Sequence, residues 1–202
     1  MDPNLHNRSA ASITGIEVRL GGTVTEQQVS DGLITVESEF AVPETMDRFA
    51  AAVTRAGLLV FARIDHGQGA RDAGLELRPT ELLIFGHPRG GTPLMMESQQ
   101  AGIDLPFKAL SWEDEDGRVW LAWNDPGWLA CRHRLGTASA PAVQAIADGM
   151  NGLALAAAHA LSETDLPAAE LPAIPPLRSA HLFRAHPSCW STARGIPRAV
   201  GY

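Results

Sequence analysis

Hydrophobic positions along this chain change period several times, and each change marks an element. In "LITVESEF", residues 33–40, Ile34, Val36 and Phe40 alternate with Thr35, Glu37 and Glu39, the pattern of a half-exposed strand. "PETMDRFAAAVTRAG" follows with Met46, Phe49, Ala50 and Val53 at helical spacing. Pro43 suits the first turn of that helix, and Gly57 suits the left-handed residue after its last. "LLVFARID", 58–65, is a strand, and a short helix over 67–73 ends at Gly74. "TELLIFG", 80–86, is apolar nearly throughout, which predicts an inner strand covered on both faces.

Thr92 and Pro93 are placed to open the next helix as cap and first residue, with Gly102 to close it. "FKALSWEDEDGRVWLAWND" alternates on either side of an acidic turn and predicts a hairpin of strands 107–114 and 118–124. Asp125 caps a helix from Pro126, and "SAPAVQAIADGMNGLALAAAHALSE" is a last helix carrying Gly149 and Gly152. Near the start, "GIEVRLGG" alternates Ile16, Val18 and Leu20 and allows one edge strand.

This order predicts an α+β fold: a single domain with a mixed β-sheet packed with helices, a C-terminal helix and a loose tail. Residues 1–32 are an N-terminal extension, 33–162 the domain, and 163–202 a Pro/Arg-rich tail. The tail reading follows from composition. The last acidic residue is Glu170, and beyond it the chain carries four arginines, two histidines and five prolines without periodicity.

Charge narrows the partners. A net charge of -7 with no basic stripe argues against nucleic acid. No stretch approaches a membrane span, and "MDPNLHNRSAAS" has no apolar signal core, so a cytoplasmic protein is expected. Two cysteines, Cys131 and Cys189, do not make a disulfide scaffold. Lys108 is the only lysine, beside fifteen arginines.

Candidate chemistry collects at strand ends. If strands 58–65 and 80–86 run parallel, joined by a crossover, their carboxyl ends share one rim. That rim would receive His66 from the first strand and Gly86, His87 and Arg89 from the second. An antiparallel strand 107–114 would start there with Lys108, and its hairpin partner would end there with Asn124 and Asp125. "GHPRGGT", with Gly90, Gly91 and Thr92, could form an anion nest at a helix N-terminus, although it is no phosphate-binding Walker loop. His66 and His87 with Cys131 or His133 could ligate a metal, but the spacings match no strong motif, and no metal or cofactor is expected. Lys108 could hold an anion, form a Schiff base with a carbonyl, or only balance Asp125 or Asp65. "NDP" before a helix is also a plain capping signature for Asp125. Met95 and Met96 read as core filler, and Trp112, Trp120, Trp123 and Trp128 as core or dimer interface.

Several separate blocks occur in order: "DH…GA…AG", "PTELLIFG", "GGTPLM", "DLPFKAL.WED" and "NDP.WLA.RH". Together, over about residues 33–160, they resemble the family called domain of unknown function 302. The resemblance implies a compact α+β domain that pairs as a homodimer, with no settled activity. Its motif falls on His66, Gly86, Pro88, Gly91, Thr92, Pro93, Leu94, Lys108, Asn124, Asp125 and Pro126. Where the family usually has Asn-Pro-Lys after "FG", this chain has His87-Pro88-Arg89. The leading expectation is a homodimer binding a small anionic ligand at the rim. The alternatives are an enzyme acting on a carbonyl through Lys108, with His66 or Asp125 moving a proton, or an interaction domain without ligand.

Overall fold

The computed structural model describes residues 14–20 and 23–160. Among them, seven strands form one sheet: β1 (Thr14–Leu20), β2 (Thr23–Ser30), β3 (Leu33–Ser38), β4 (Leu59–Asp65), β5 (Thr80–Gly86), β6 (Phe107–Glu113) and β7 (Val119–Asn124). Their order across the sheet is β1-β2-β3-β7-β6-β5-β4. The helices are α1 (Val42–Arg55), α2 (His66–Asp72), α3 (Pro88–Glu97), α4 (Pro126–Arg132) and α5 (Ala140–Ala158), with a 3₁₀ turn at Gln99–Ile103. The architecture is α+β.

Two meanders build the sheet. The first, β1-β2-β3, stops at mid-sheet, and α1 then carries the chain to the far edge. The second, β4-β5-β6-β7, walks back until β7 pairs with β3. Because α1 spans this gap, it packs against β4, β5, β6 and β7. Its Met46, Phe49 and Val53 are fully buried there, as the helical spacing predicts. The Phe49 ring meets Phe85 edge-on, 5.1 Å between centroids. Each such side chain contributes roughly 1.5–3 kcal/mol by leaving water.

The sheet face toward α1 and α5 carries Val36, Leu83, Phe85, Ala109, Leu121 and Trp123, all buried. Helix α5 completes the core with Met150, Ala154, Leu155, Ala157 and Ala158. Its three small residues let α1 approach closely. Arg48 of α1 fixes that contact by donating to the carbonyls of Ala156, Ala157 and His159 at 3.2, 3.0 and 2.7 Å. These are last-turn carbonyls that have no partner within their own helix. The opposite sheet face alternates with the first. Leu82 pairs with Leu110, Leu110 with Ala122, and Trp112 with Trp120, and all are only partly buried apart from Ala122.

Several expectations change. The sheet is antiparallel at every pairing rather than mixed, since β4 pairs antiparallel with β5. The connecting helix α2, "HGQGARD", has no apolar stripe with which to cover a sheet, so it cannot serve as the crossover of a parallel pair. The region before residue 33 supplies two strands, not one, because "TVTEQQVS" pairs on both sides despite its polar composition. Helix α3 is capped by His87 and begins at Pro88, instead of being capped by Thr92 and beginning at Pro93, which leaves Pro93 inside it. Helix α5 runs unbroken through Gly149 and Gly152 and ends at Ala158. The tail beyond residue 160 lies outside the described residues.

Candidate functional site

The antiparallel register decides which loops meet. Gly86, ending β5, stands opposite Leu59, which starts β4. Lys108, near the start of β6, pairs with Ile84. Asn124, ending β7, pairs with Leu33 at the start of β3. One rim therefore receives His87, Arg89, Lys108, Asn124 and Asp125. His66 goes to the other rim, because Asp65 pairs with Glu81 at the beginning of β5. The rim expected from parallel strands thus loses His66, which is exposed as the first residue of α2.

The turn from β5 into α3 explains itself atom by atom. His87 is the N-cap, and its Nδ1 accepts from the Arg89 N–H at 3.1 Å. The Gly90 and Gly91 N–H groups both turn onto the His87 carbonyl, at 2.9 and 3.3 Å. Pro88 has no N–H to offer. The first-turn donors that would make an anion nest are thus engaged within the turn. The imidazole does the capping work for which asparagine is well suited. That gives a physical reason why His87 can stand where the resembling sequences have Asn, and why the helix starts five residues early.

Lys108 has no carboxylate partner among the described residues. Its Nζ donates to the carbonyls of Asp104 and Pro106, both at 3.2 Å, and so ties down the loop entering β6. Asp125 caps α4, its Oδ1 accepting from the Gly127 N–H at 2.8 Å, as the capping reading has it. Its backbone N–H bonds Gly32 O at 2.8 Å. Sequence reasoning missed Asp104. Its carboxylate receives His133 Nε2 at 2.5 Å and Arg132 Nε at 3.4 Å. The His133 side chain is only 7% exposed, so this pair is sheltered. Two motif blocks, "DLPFKAL" and "RH", therefore meet at one carboxylate, and their joint presence in the motif was the available signal.

A cavity of about 310 Å³ opens beside the β5–α3 turn. Gly86, His87 and Pro88 line it from the turn, and Gly91, Thr92 and Met95 from α3. Leu105, Pro106 and Phe107 form the wall that Lys108 ties down. Phe61 comes from β4. The register of β4 slips between Val60 and Ala62, so Phe61 is the extra residue of a β-bulge. Bulges re-aim side chains, and here Phe61, 54% exposed, stands at the cavity instead of in the ladder. Of the residues proposed from sequence, Gly86, His87, Gly91 and Thr92 line this cavity, whereas Arg89, Gly90, Lys108, Asn124 and Asp125 do not.

The metal alternative finds its residues apart: His66 on the far rim, His87 in its cap and His133 on Asp104. Among the described residues no cysteine is free, and no three His, Cys, Asp or Glu side chains converge. Met95 lines the cavity while Met96 is 70% exposed, so neither is core filler. Trp123 is in the core and Trp128 lies against Gly32.

Comparison with known proteins places these features in a family. A region of the chain is 53% identical over 121 residues to a Brucella suis biovar 1 (strain 1330) protein named fluoride-specific ion channel FluC 1. That is 60% of this chain and 48% of the relative. A Brucella abortus biovar 1 (strain 9-941) protein of the same name matches equally over 45% of its length. The chain therefore spans less than half of these curated relatives. No helix among the described residues is long and apolar enough to cross a membrane. The fold is similar to the crystal structure of an uncharacterized conserved protein DUF302 from Bacillus stearothermophilus, with a TM-score of 0.57 and 18% identity. That likeness covers 64% of this chain and all of the other. The family model described as "Domain of unknown function DUF302" matches residues 34–153, and the chain belongs to that family.

Proposed function

We propose that this chain is a cytoplasmic small-molecule-binding domain that works as a homodimer. The observation that carries the reading is the cavity beside the β5–α3 turn, whose size is in the range of small-ligand sites. A rigid strand end and a capped helix hold its walls, which suits a preformed site. Homodimerisation is supported by the partly buried apolar side chains of Leu82, Ile84, Leu110, Trp112 and Trp120 on the sheet face away from α1 and α5. The enzyme alternative through Lys108 draws less support, because its ammonium is turned to two carbonyls and stays outside the cavity lining. For the anionic ligand expected from sequence, Arg89 and Lys108 remain cations of the same rim, while the turn's N–H groups are engaged. The test is native mass spectrometry of protein purified from its own host. A retained small molecule lost in a Gly91→Val variant supports the reading, and bare protein in both would remove it.

A second reading comes from the Brucella relatives. Their name is that of an ion channel, and the stretch shared with this chain is under half of each. No helix among the described residues of this chain is long and apolar enough to cross a membrane. On this reading the domain is a non-channel module that acts beside such a channel. Co-purification of this chain with a fluoride channel from the same host would support it.

A further inference from the structure

We infer that the cavity takes an uncharged, ring-sized molecule bearing one hydrogen-bond acceptor, which the Nε2–H of His87 holds. The inference rests on the cavity being a ligand site and goes on to name the ligand's chemistry.

Size comes first. A dry cavity of about 150 Å³ accommodates benzene, so about 310 Å³ admits a ring with a substituent. Polarity is next. Phe61, Pro88, Met95, Leu105, Pro106 and Phe107 present carbon and sulfur, and no charged side chain lines the space. A carboxylate seated against such walls would give up part of its water with no counter-charge in the lining, whereas a neutral ring gives up little. The backbone gives no compensation, because the N–H groups of Arg89, Gly90 and Gly91 are already bonded to His87.

The last step concerns one proton. An imidazole nitrogen that accepts a hydrogen bond carries no proton, and in neutral imidazole the other nitrogen then does. Since Nδ1 accepts from the Arg89 N–H, Nε2 is the donor. His87 thus has two separable atoms: Nδ1 caps α3, and Nε2–H is the donor that this lining residue has left to offer a ligand. Thr92 is the other lining residue with a polar side chain.

Three probes of one shape test this on the full chain: benzamide, benzoate and toluene, titrated by amide-detected NMR or calorimetry. Benzamide should bind several-fold more tightly than toluene, about tenfold at most, the worth of one hydrogen bond, and benzoate more weakly than either. The His87→Asn variant keeps a capping side chain but loses the ring donor. It should bring the preference for benzamide over toluene down to about parity, a ratio in which any change of cavity shape common to both probes cancels. Benzoate binding as tightly as benzamide would overturn the neutral-ligand inference while leaving the cavity as a site. Benzamide affinity unaltered in His87→Asn would overturn the role of Nε2–H. If none of the three binds the wild type, or all bind equally to Gly91→Val, whose new side chain would press on Leu105, then the site reading and the inference fall together.

Discussion

Glu97, the last residue of α3, caps the start of α5 through Ser139, some forty residues further along the chain. Its carboxylate accepts from the Ser139 N–H at 3.1 Å and also from the Ser139 hydroxyl and the Gly136 N–H. Ser139 occupies the N-cap position of α5 but makes no cap of its own. Glu97→Ala should therefore cost about 1 kcal/mol, in the range of lost caps, reduced because Glu97 is exposed. Thermal denaturation should show a midpoint lower by roughly 2–4 °C. Glu97→Gln should recover part of the loss. An unchanged midpoint in Glu97→Ala would mean that the contact contributes nothing.

The hairpin turn should respond to acid. The Trp120 indole N–H, bonded to Asp114 Oδ2 at 2.7 Å, holds the Asp114 carboxyl below its ordinary range. Backbone N–H groups of Arg118 and Asp116 act in the same direction. A depressed pKa in the folded state stabilises the fold above the unfolded value, and that stabilisation is lost as pH falls through the folded value. The Trp120 indole resonance should therefore shift only below about pH 4, and the shift should vanish in Asp114→Asn. Movement of that resonance near neutral pH would contradict the assignment.

Lys108 is expected to act on the loop and not on a substrate. Lys108→Met removes two partly exposed contacts and should cost on the order of 1 kcal/mol. It should also weaken any cavity ligand, because Leu105 and Pro106 lose their anchor. Borohydride in the presence of small carbonyl compounds should leave the wild-type mass unchanged. A stable reduced adduct on Lys108 would restore the Schiff-base reading.

The proposed dimer uses the sheet face away from α1. In sedimentation equilibrium at tens of micromolar, a range set by ordinary interface strengths, the species should have twice the chain mass of 21.5 kDa. Leu110→Lys, in the middle of that face, should shift it to the monomer without unfolding it. A monomeric wild type at these concentrations would dispose of the proposal.

Much of the fold is legible in the sequence because period 2 and period 3.6 are local signals. Val36, Leu121 and Trp123 point inward as their alternation requires, and Met46, Phe49 and Val53 form one helical stripe. Strand direction is not local. "TELLIFG" reads as doubly covered because Leu82 and Ile84 are apolar, yet they lie on the sheet face away from the core. Supposing that 58–65 and 80–86 run parallel puts His66 at the wrong rim, since the two strands pair antiparallel. The Asp104–His133 contact was hidden for a related reason: the two residues are 29 positions apart, and only the fold of β6, β7 and α4 brings them together. Asp125 was readable as a cap since its partner is two residues away. For His87 the turn was readable but the role was not, because imidazoles seldom serve as caps.

The bulge at Phe61 has a consequence for solubility. Strand β4 is an outer strand of the sheet, and one side of its backbone has no neighbouring strand among the described residues. Its sequence, "LVFARID", with Leu59, Val60, Phe61 and Ile64 all exposed, is the kind of segment that recruits a second chain into runaway β-assembly. The extra residue breaks the even spacing of donors and acceptors between Val60 and Ala62, so an incoming straight strand finds only short matching stretches on either side. Arg63, clamped to Glu81 and Asp47, pins the second stretch to the body of the protein. The irregularity that turns Phe61 toward the cavity thus also guards the chain against fibril growth from its own edge.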